Sequence, residues 1–167
     1  REAAAQAAAF APHAIDPWYR VVVELVLGRS ARLDRRLADA QAHFERALAL
    51  AVERGDWTQR IVALAEIGEV ALGRGDAAGA LRATAQAVAL QRARGDTGIG
   101  SMFSPAAAWW AHHHALQANG RDAAARQALA AGYRMMLRGA AGLTDEGLRR
   151  SWFGKVPVHR RLLRAWV

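Results

Sequence analysis

Cysteine is missing from all 167 residues, and lysine occurs once. The lack of thiols excludes a disulfide framework and any zinc site built on thiolates, and it is compatible with a cytoplasmic location. Long apolar runs are missing as well. VVVELVLG at 21–28 is the longest, and it is too short and too charged to span a bilayer. The opening REAAAQAAAF has neither the apolar centre nor the cleavage pattern of a signal peptide. Its abrupt start points to a fragment of something longer. The 4 prolines and 15 glycines gather mostly between Ala/Leu/Arg/Gln-rich stretches, where they break helices.

Alanine supplies much of the 53% hydrophobic content, and alanine has the highest helix propensity. The formal charge is +8, carried by 22 arginines against that single lysine. The arginines are scattered along the helical stretches, which reads as solvated helix faces ahead of a nucleic-acid footprint. The densest group, Arg149, Arg150, Lys155, Arg160, Arg161 and Arg164, is a basic patch in the tail. It keeps open a reading as a basic array that binds nucleic acid, or equally a patch for an acidic protein.

The chain repeats itself. ALALAVERGD at 47–56 returns as AVALQRARGD at 87–96, forty residues on. The same shift brings Gly28 onto Gly68, Ala40 onto Ala80, Ala47 onto Ala87 and Leu50 onto Leu90. Backwards, Ala47 falls on Ala7 and Leu50 on Phe10, so 1–11 reads as the end of a truncated repeat. Each unit reads as two helices. The first hairpin covers 16–54, with Asp16 as cap, Pro17 at the first helical position and a second helix from about Asp34. Trp18, Val21, Val22, Leu25 and Val26 make its amphipathic stripe. The second hairpin covers 57–94 and the third 104–138, the latter restarted by Ser104 and Pro105 at an offset of forty-five. The segment 144–167 does not repeat; Thr144 caps its first helix, Gly154 to Pro157 interrupts, and the pair closes the stack.

Several short motifs invite chemistry. HHH at 112–114 suggests a metal, but consecutive helical residues point about 100° apart, whereas zinc ligands must converge. No metal site and no cofactor are expected. GDTGIGS at 95–101 lacks the lysine and the preceding strand of a phosphate loop, and GRGDAA at 73–78 sits between helices; both read as turns. RGD at 54–56, 74–76 and 94–96 is a helix end followed by a capping aspartate. Glu66 and Glu69 lie one turn apart, as two solvated charges or as part of a site. No nucleophile stands beside a base and no catalytic residue is expected, so the chain does not read as an enzyme. Trp109 and Trp110 cannot face the same way. Trp110 is left with two placements, the hairpin core or a groove.

Within each unit a small residue is followed by another twelve later and a third seven after that: Gly28, Ala40, Ala47; Gly68, Ala80, Ala87; and His113, Ala125, Gly132. Phe44, Thr84 and Leu129 are the bulkier residues beside them. The pattern resembles the tetratricopeptide repeat family. The period is forty where that family has 34, which lengthens the helices by about one and a half turns, and His113 stands where a small residue belongs. This resembles the long-helix variant of large bacterial regulators, transcription activators of the maltose-activator type and multidomain cyclases and kinases. GLRRSWFGKVPVHRRLLRAW at 147–166 is similar to the segment that closes such arrays.

The resemblance implies an all-α, right-handed superhelical array of antiparallel hairpins with a C-terminal capping helix pair. It implies that first helices line a concave surface: Leu25, Arg29 and Arg32; Ala65, Glu69 and Leu72; Trp110, His114 and Gln117. The expected function is a protein-interaction or sensor module of a larger bacterial signalling or transcription-regulatory protein. It would bind a peptide, a protein or another domain of the same polypeptide, with a small ligand between helices as the alternative. A homodimer through the N-terminal end is a further expectation, and no membrane contact is expected.

Overall fold

The computed structural model describes residues 17–95 and 104–166, with positions 2, 5, 6 and 9. The expected cap at Asp16 and most of the GDTGIGS loop lie outside the described residues. So does nearly all of the truncated repeat at 1–11, and with it the expected dimer end. Among the described residues there are eight α-helices and no strand: α1 (Pro17–Leu33), α2 (Leu37–Glu53), α3 (Trp57–Gly73), α4 (Ala77–Ala93), α5 (Ala106–Ala118), α6 (Asp122–Ala141), α7 (Glu146–Lys155) and α8 (Pro157–Trp166). None of these helices is long and apolar enough to cross a membrane.

Helices α1 to α4 are each 17 residues long, joined by three-residue turns. One device makes these turns. The middle residue is left-handed: Gly55 at φ 66° and Gly75 at φ 80°, with Gly95 and Gly120 at 75° and 69° after α4 and α5. Glycine enters this region without steric cost. At 54–56 the Gly55 N–H donates to Val52 O at 3.1 Å and the Asp56 N–H donates to Ala51 O at 2.9 Å. That double bond satisfies carbonyls the helix would leave without partners. Asp56 then turns to the next helix, its carboxylate accepting from the Gln59 N–H at 3.0 Å. Asp76 does the same, accepting from the Gly79 N–H at 2.7 Å. One aspartate thus closes one helix and opens another.

The first turn departs from this chemistry. α2 starts at Leu37, not near Asp34, because residues 34–36 are spent on the turn. Arg35 occupies the left-handed position at φ 61°, and Arg36 stands at the N-cap without a side-chain cap bond. Two further sequence expectations shift. Asp145, not Thr144, caps α7, accepting from the Leu148 N–H at 2.7 Å. Gly154 is inside α7, and the break falls at Val156, which is extended. α5 begins at Ala106, one residue after Pro105.

Every helix from α1 to α6 packs on the next, α1 also meets α3, and α3 meets α5. α8 packs on α6, α7 and α5. The hairpins close tightly where the sequence is small. Ala40, Ala47, Ala80 and Ala87 are fully buried. A methyl group on Gly28 would fall 2.5 Å from the Phe44 ring, and one on Gly68 would strike the Thr84 methyl. The third hairpin reaches the same end differently. Buried His113 donates from Nδ1 to Ala125 O at 2.9 Å, so a polar ring takes the small residue's place by bonding the facing backbone.

Two substitutions test this account. Gly28→Ala forces Phe44 off its site and is expected to lower unfolding free energy by about 1–3 kcal/mol, read from the shift in urea midpoint. Arg36→Ser supplies the missing cap of α2 and is expected to raise it by about 1 kcal/mol.

Candidate functional site

The first helices of the three hairpins, α1, α3 and α5, share one face, and α8 stands against it. Between them lie two adjoining hollows. The inner one, about 330 Å³, is bordered by Arg29 and Arg32 of α1, Ala65, Glu66 and Glu69 of α3, Trp110 of α5, and Val156, Val158 and Arg161 at α8. The outer one, about 660 Å³, is bordered by Glu69, Leu72, Trp110, His114, Gln117 and Arg161. Glu69, Trp110 and Arg161 belong to both, so the two make a continuous groove.

Of the nine residues expected on this surface, eight border it. Leu25 does not: it is fully buried among Val21, Phe44 and Val62. Its position matches that of Ala65, but a leucine there is large enough to reach into the α1–α2 core. Trp109 and Trp110 divide as their spacing requires. Trp109 is buried against Ile61 and Val88, with the Arg92 guanidinium 4.6 Å from its ring centre on the other side. Trp110 lines the groove, edge-on to His114 at 4.4 Å between ring centres.

Glu66 was the undecided member of the Glu66/Glu69 pair, and it holds the wall together. Arg29 Nε donates to its Oε1 at 2.6 Å, and Arg32 Nη2 stands 3.4 Å from its Oε2. The sequence carries no local signal for this pairing, because Arg29 and the Glu66 carboxylate lie 37 residues apart. Glu69 stands one turn further along the same wall. Burial pushes its carboxyl above the ordinary value, and Glu66 adds to this while Arg32 and Arg161 oppose it.

The basic patch does not act as one group. Arg161 turns to the groove. Arg149 donates to Leu143 O at 2.7 Å, and Arg150 pairs with Glu146 at 3.7 Å on the exposed side of α7. Lys155 borders a shallow depression with Leu148 and Trp152, and Arg160 and Arg164 are exposed one turn apart on α8. The three adjacent histidines also part company. His112 bonds Thr84 through Nδ1 at 3.0 Å, His113 bonds Ala125, and His114 meets Trp110. Among the described residues no three His, Cys, Asp or Glu side chains come together as metal ligands would.

α8 reaches the groove because His159 anchors it. The ring is fully buried. Its Nδ1 donates to Trp152 O at 2.7 Å, which fixes the tautomer, and Nε2 accepts the Ser104 hydroxyl proton at 2.7 Å. Ser104 therefore spends its hydroxyl on α8, with only a 3.3 Å contact to the Ala106 N–H. Trp152 donates from Nε1 to Met136 O at 3.0 Å, tying α7 to α6. No periodicity points to these contacts; they depend on how the tail folds back.

No family model matches the chain, and neither a curated protein nor a solved structure matches it.

Burial lowers the His159 pKa, and the bond to the Trp152 carbonyl opposes this in part. The unfolded ring titrates at about 6.5, so the stabilisation is complete above that pH and is lost as pH falls through the folded value. A urea midpoint that declines below about pH 6.5 is expected. His159→Gln should cost about 1–3 kcal/mol at pH 7.5 and make that decline shallower; an unchanged pH profile would assign the effect to His112 and His114, whose pKa values burial also lowers.

Proposed function

We propose that the chain is a tetratricopeptide-like interaction module, without catalysis of its own, that takes an extended peptide or protein segment in the groove formed by α1, α3, α5 and α8. Its hairpins follow one another as a right-handed superhelical array, with α7 and α8 as the closing pair. The contacts of α1 with α3 and of α3 with α5 support this, since first helices then form a continuous inner wall. The observation that carries the reading is the convergence of eight predicted residues from three hairpins on two adjoining hollows.

The groove is suited to recognition. Trp110 offers a large rigid face that is neither buried nor fully exposed, and such residues anchor interfaces. The ion pairs of Glu66 hold the wall in place before a ligand arrives, which lowers the ordering cost of binding. In a regulator of the kind the sequence resembles, occupancy would pass to a linked effector through the arrangement of the hairpins.

The test is a titration of the protein with a library of random amidated hexapeptides, followed by calorimetry on the bound sequences. Trp110→Ala is expected to weaken binding about tenfold, measured at a temperature well below its own unfolding midpoint, which the lost packing of the ring lowers. A library without a binder, or affinities indifferent to Trp110, would remove the groove as the site.

A further inference from the structure

The inner hollow carries an unusual set of unsatisfied groups. Arg32 Nε, Glu66 Oε2 and Glu69 Oε1 are buried and have no hydrogen-bond partner. All three residues border the same space of about 330 Å³. Buried polar atoms are rarely left in this condition, and each calls for an explanation. Glu66 Oε2 retains only the 3.4 Å charge contact with Arg32. Arg161, an exposed residue of α8, borders the same hollow, and its positive charge acts on Glu69.

The unmet needs have both signs. Two carboxyl oxygens want donors and one buried guanidinium N–H wants an acceptor, while Arg161 adds an exposed guanidinium at the edge of the hollow. A simple anion would leave the two oxygens as they are. A simple cation would meet Glu66 and Glu69 but also the guanidinium groups of Arg29, Arg32 and Arg161, which outnumber them. Apart from Ser104, whose hydroxyl is bonded to His159, the remaining wall of Ala107, Ala111, Val156, Val158 and the Trp110 ring is apolar. The space is at the lower end of the range for small-molecule sites, roughly 300–1,000 Å³.

From this we propose that the inner hollow binds a free α-amino acid with an apolar side chain. Its ammonium donates to Glu66 Oε2 and Glu69 Oε1, its carboxylate accepts from Arg32 Nε and Arg161, and its side chain lies against Trp110 and the valines. The inference extends the reading of the groove as a recognition surface and adds a small-molecule site at its inner end. The outer hollow, with Leu72, His114 and Gln117, remains for the peptide.

Proton linkage supplies an independent readout. Glu69 is faced by Glu66 on its own helix, by Arg32 and Arg29 from α1, by Arg161 from α8 and by His114 from α5. Burial favours its protonated form. An ammonium favours the carboxylate, so binding releases a proton and affinity rises with pH through the Glu69 titration.

The experiment is calorimetry of the full chain with L-leucine and L-phenylalanine, alongside N-acetyl-L-phenylalanine and L-phenylalaninamide. A parent amino acid is expected to bind, and each analogue, lacking one charge, to bind at least about tenfold more weakly. Arg161→Gln, at an exposed position, should weaken the amino acid about tenfold and leave the amide unaffected. Glu69→Gln should abolish the proton release seen between two buffers of different ionisation heat. The inference is overturned if neither amino acid binds at about 10 mM, which would also leave the unfolding midpoint unmoved, or if both analogues bind as well as the parent. Peptide binding that depends on Trp110 alongside either result would leave the groove standing and remove only the amino-acid site.

Discussion

The structure depends on turns that allow no slack. Between α2 and α4 a left-handed glycine ends one helix and the next residue's carboxylate begins another, and the connections from α1 to α4 are each three residues long. With helices of 17 residues on either side, the chain advances in steps of twenty and returns to the same face every forty. Faces then stay in register. Arg29 and Glu69 occupy equivalent places on α1 and α3, as do Arg32 and Leu72, and side chains far apart in sequence line one wall. Between α4 and α5 the connection is longer, and there the packing of α5 on α3 and α4 keeps Trp110 and His114 on the same wall.

Tight turns would be of little use if the helices stood apart. Gly28 under Phe44 and Gly68 under Thr84 let paired backbones approach closely, and the buried alanines opposite extend that approach. Small residues contribute little apolar area individually. The stability of such hairpins therefore comes from many short-range contacts and from hairpin stacking, which suits an alanine-rich composition.

Much of this was legible in advance. Asp and Gly mark helix ends by local chemistry, so the hairpin limits follow from composition and spacing, and where Asp is replaced by Arg36 the start of α2 was misplaced. The nine first-helix positions came from the resemblance to tetratricopeptide arrays, and eight of them border the two hollows. The ninth, Leu25, failed because equivalent positions do not hold equivalent volumes: Ala65 is buried but short enough to leave the hollow open beside it, whereas Leu25 fills the α1–α2 core. Glu66 and the part played by Arg161 were not assigned because each depends on a neighbour in another segment. The clasp of His159 on Ser104 spans 55 residues and involves a tail with no repeat, so nothing periodic could reveal it.

That clasp has a consequence for control. α8 supplies Val158 and Arg161 to the groove, with Val156 just before it, yet it belongs to the far end of the chain from α1. Any molecule lodged between them bridges the beginning and the end of the fold. Occupancy and the seating of α8 are then reciprocal equilibria, each strengthened by the other to the same degree. A change as small as one proton on a hidden imidazole would loosen both.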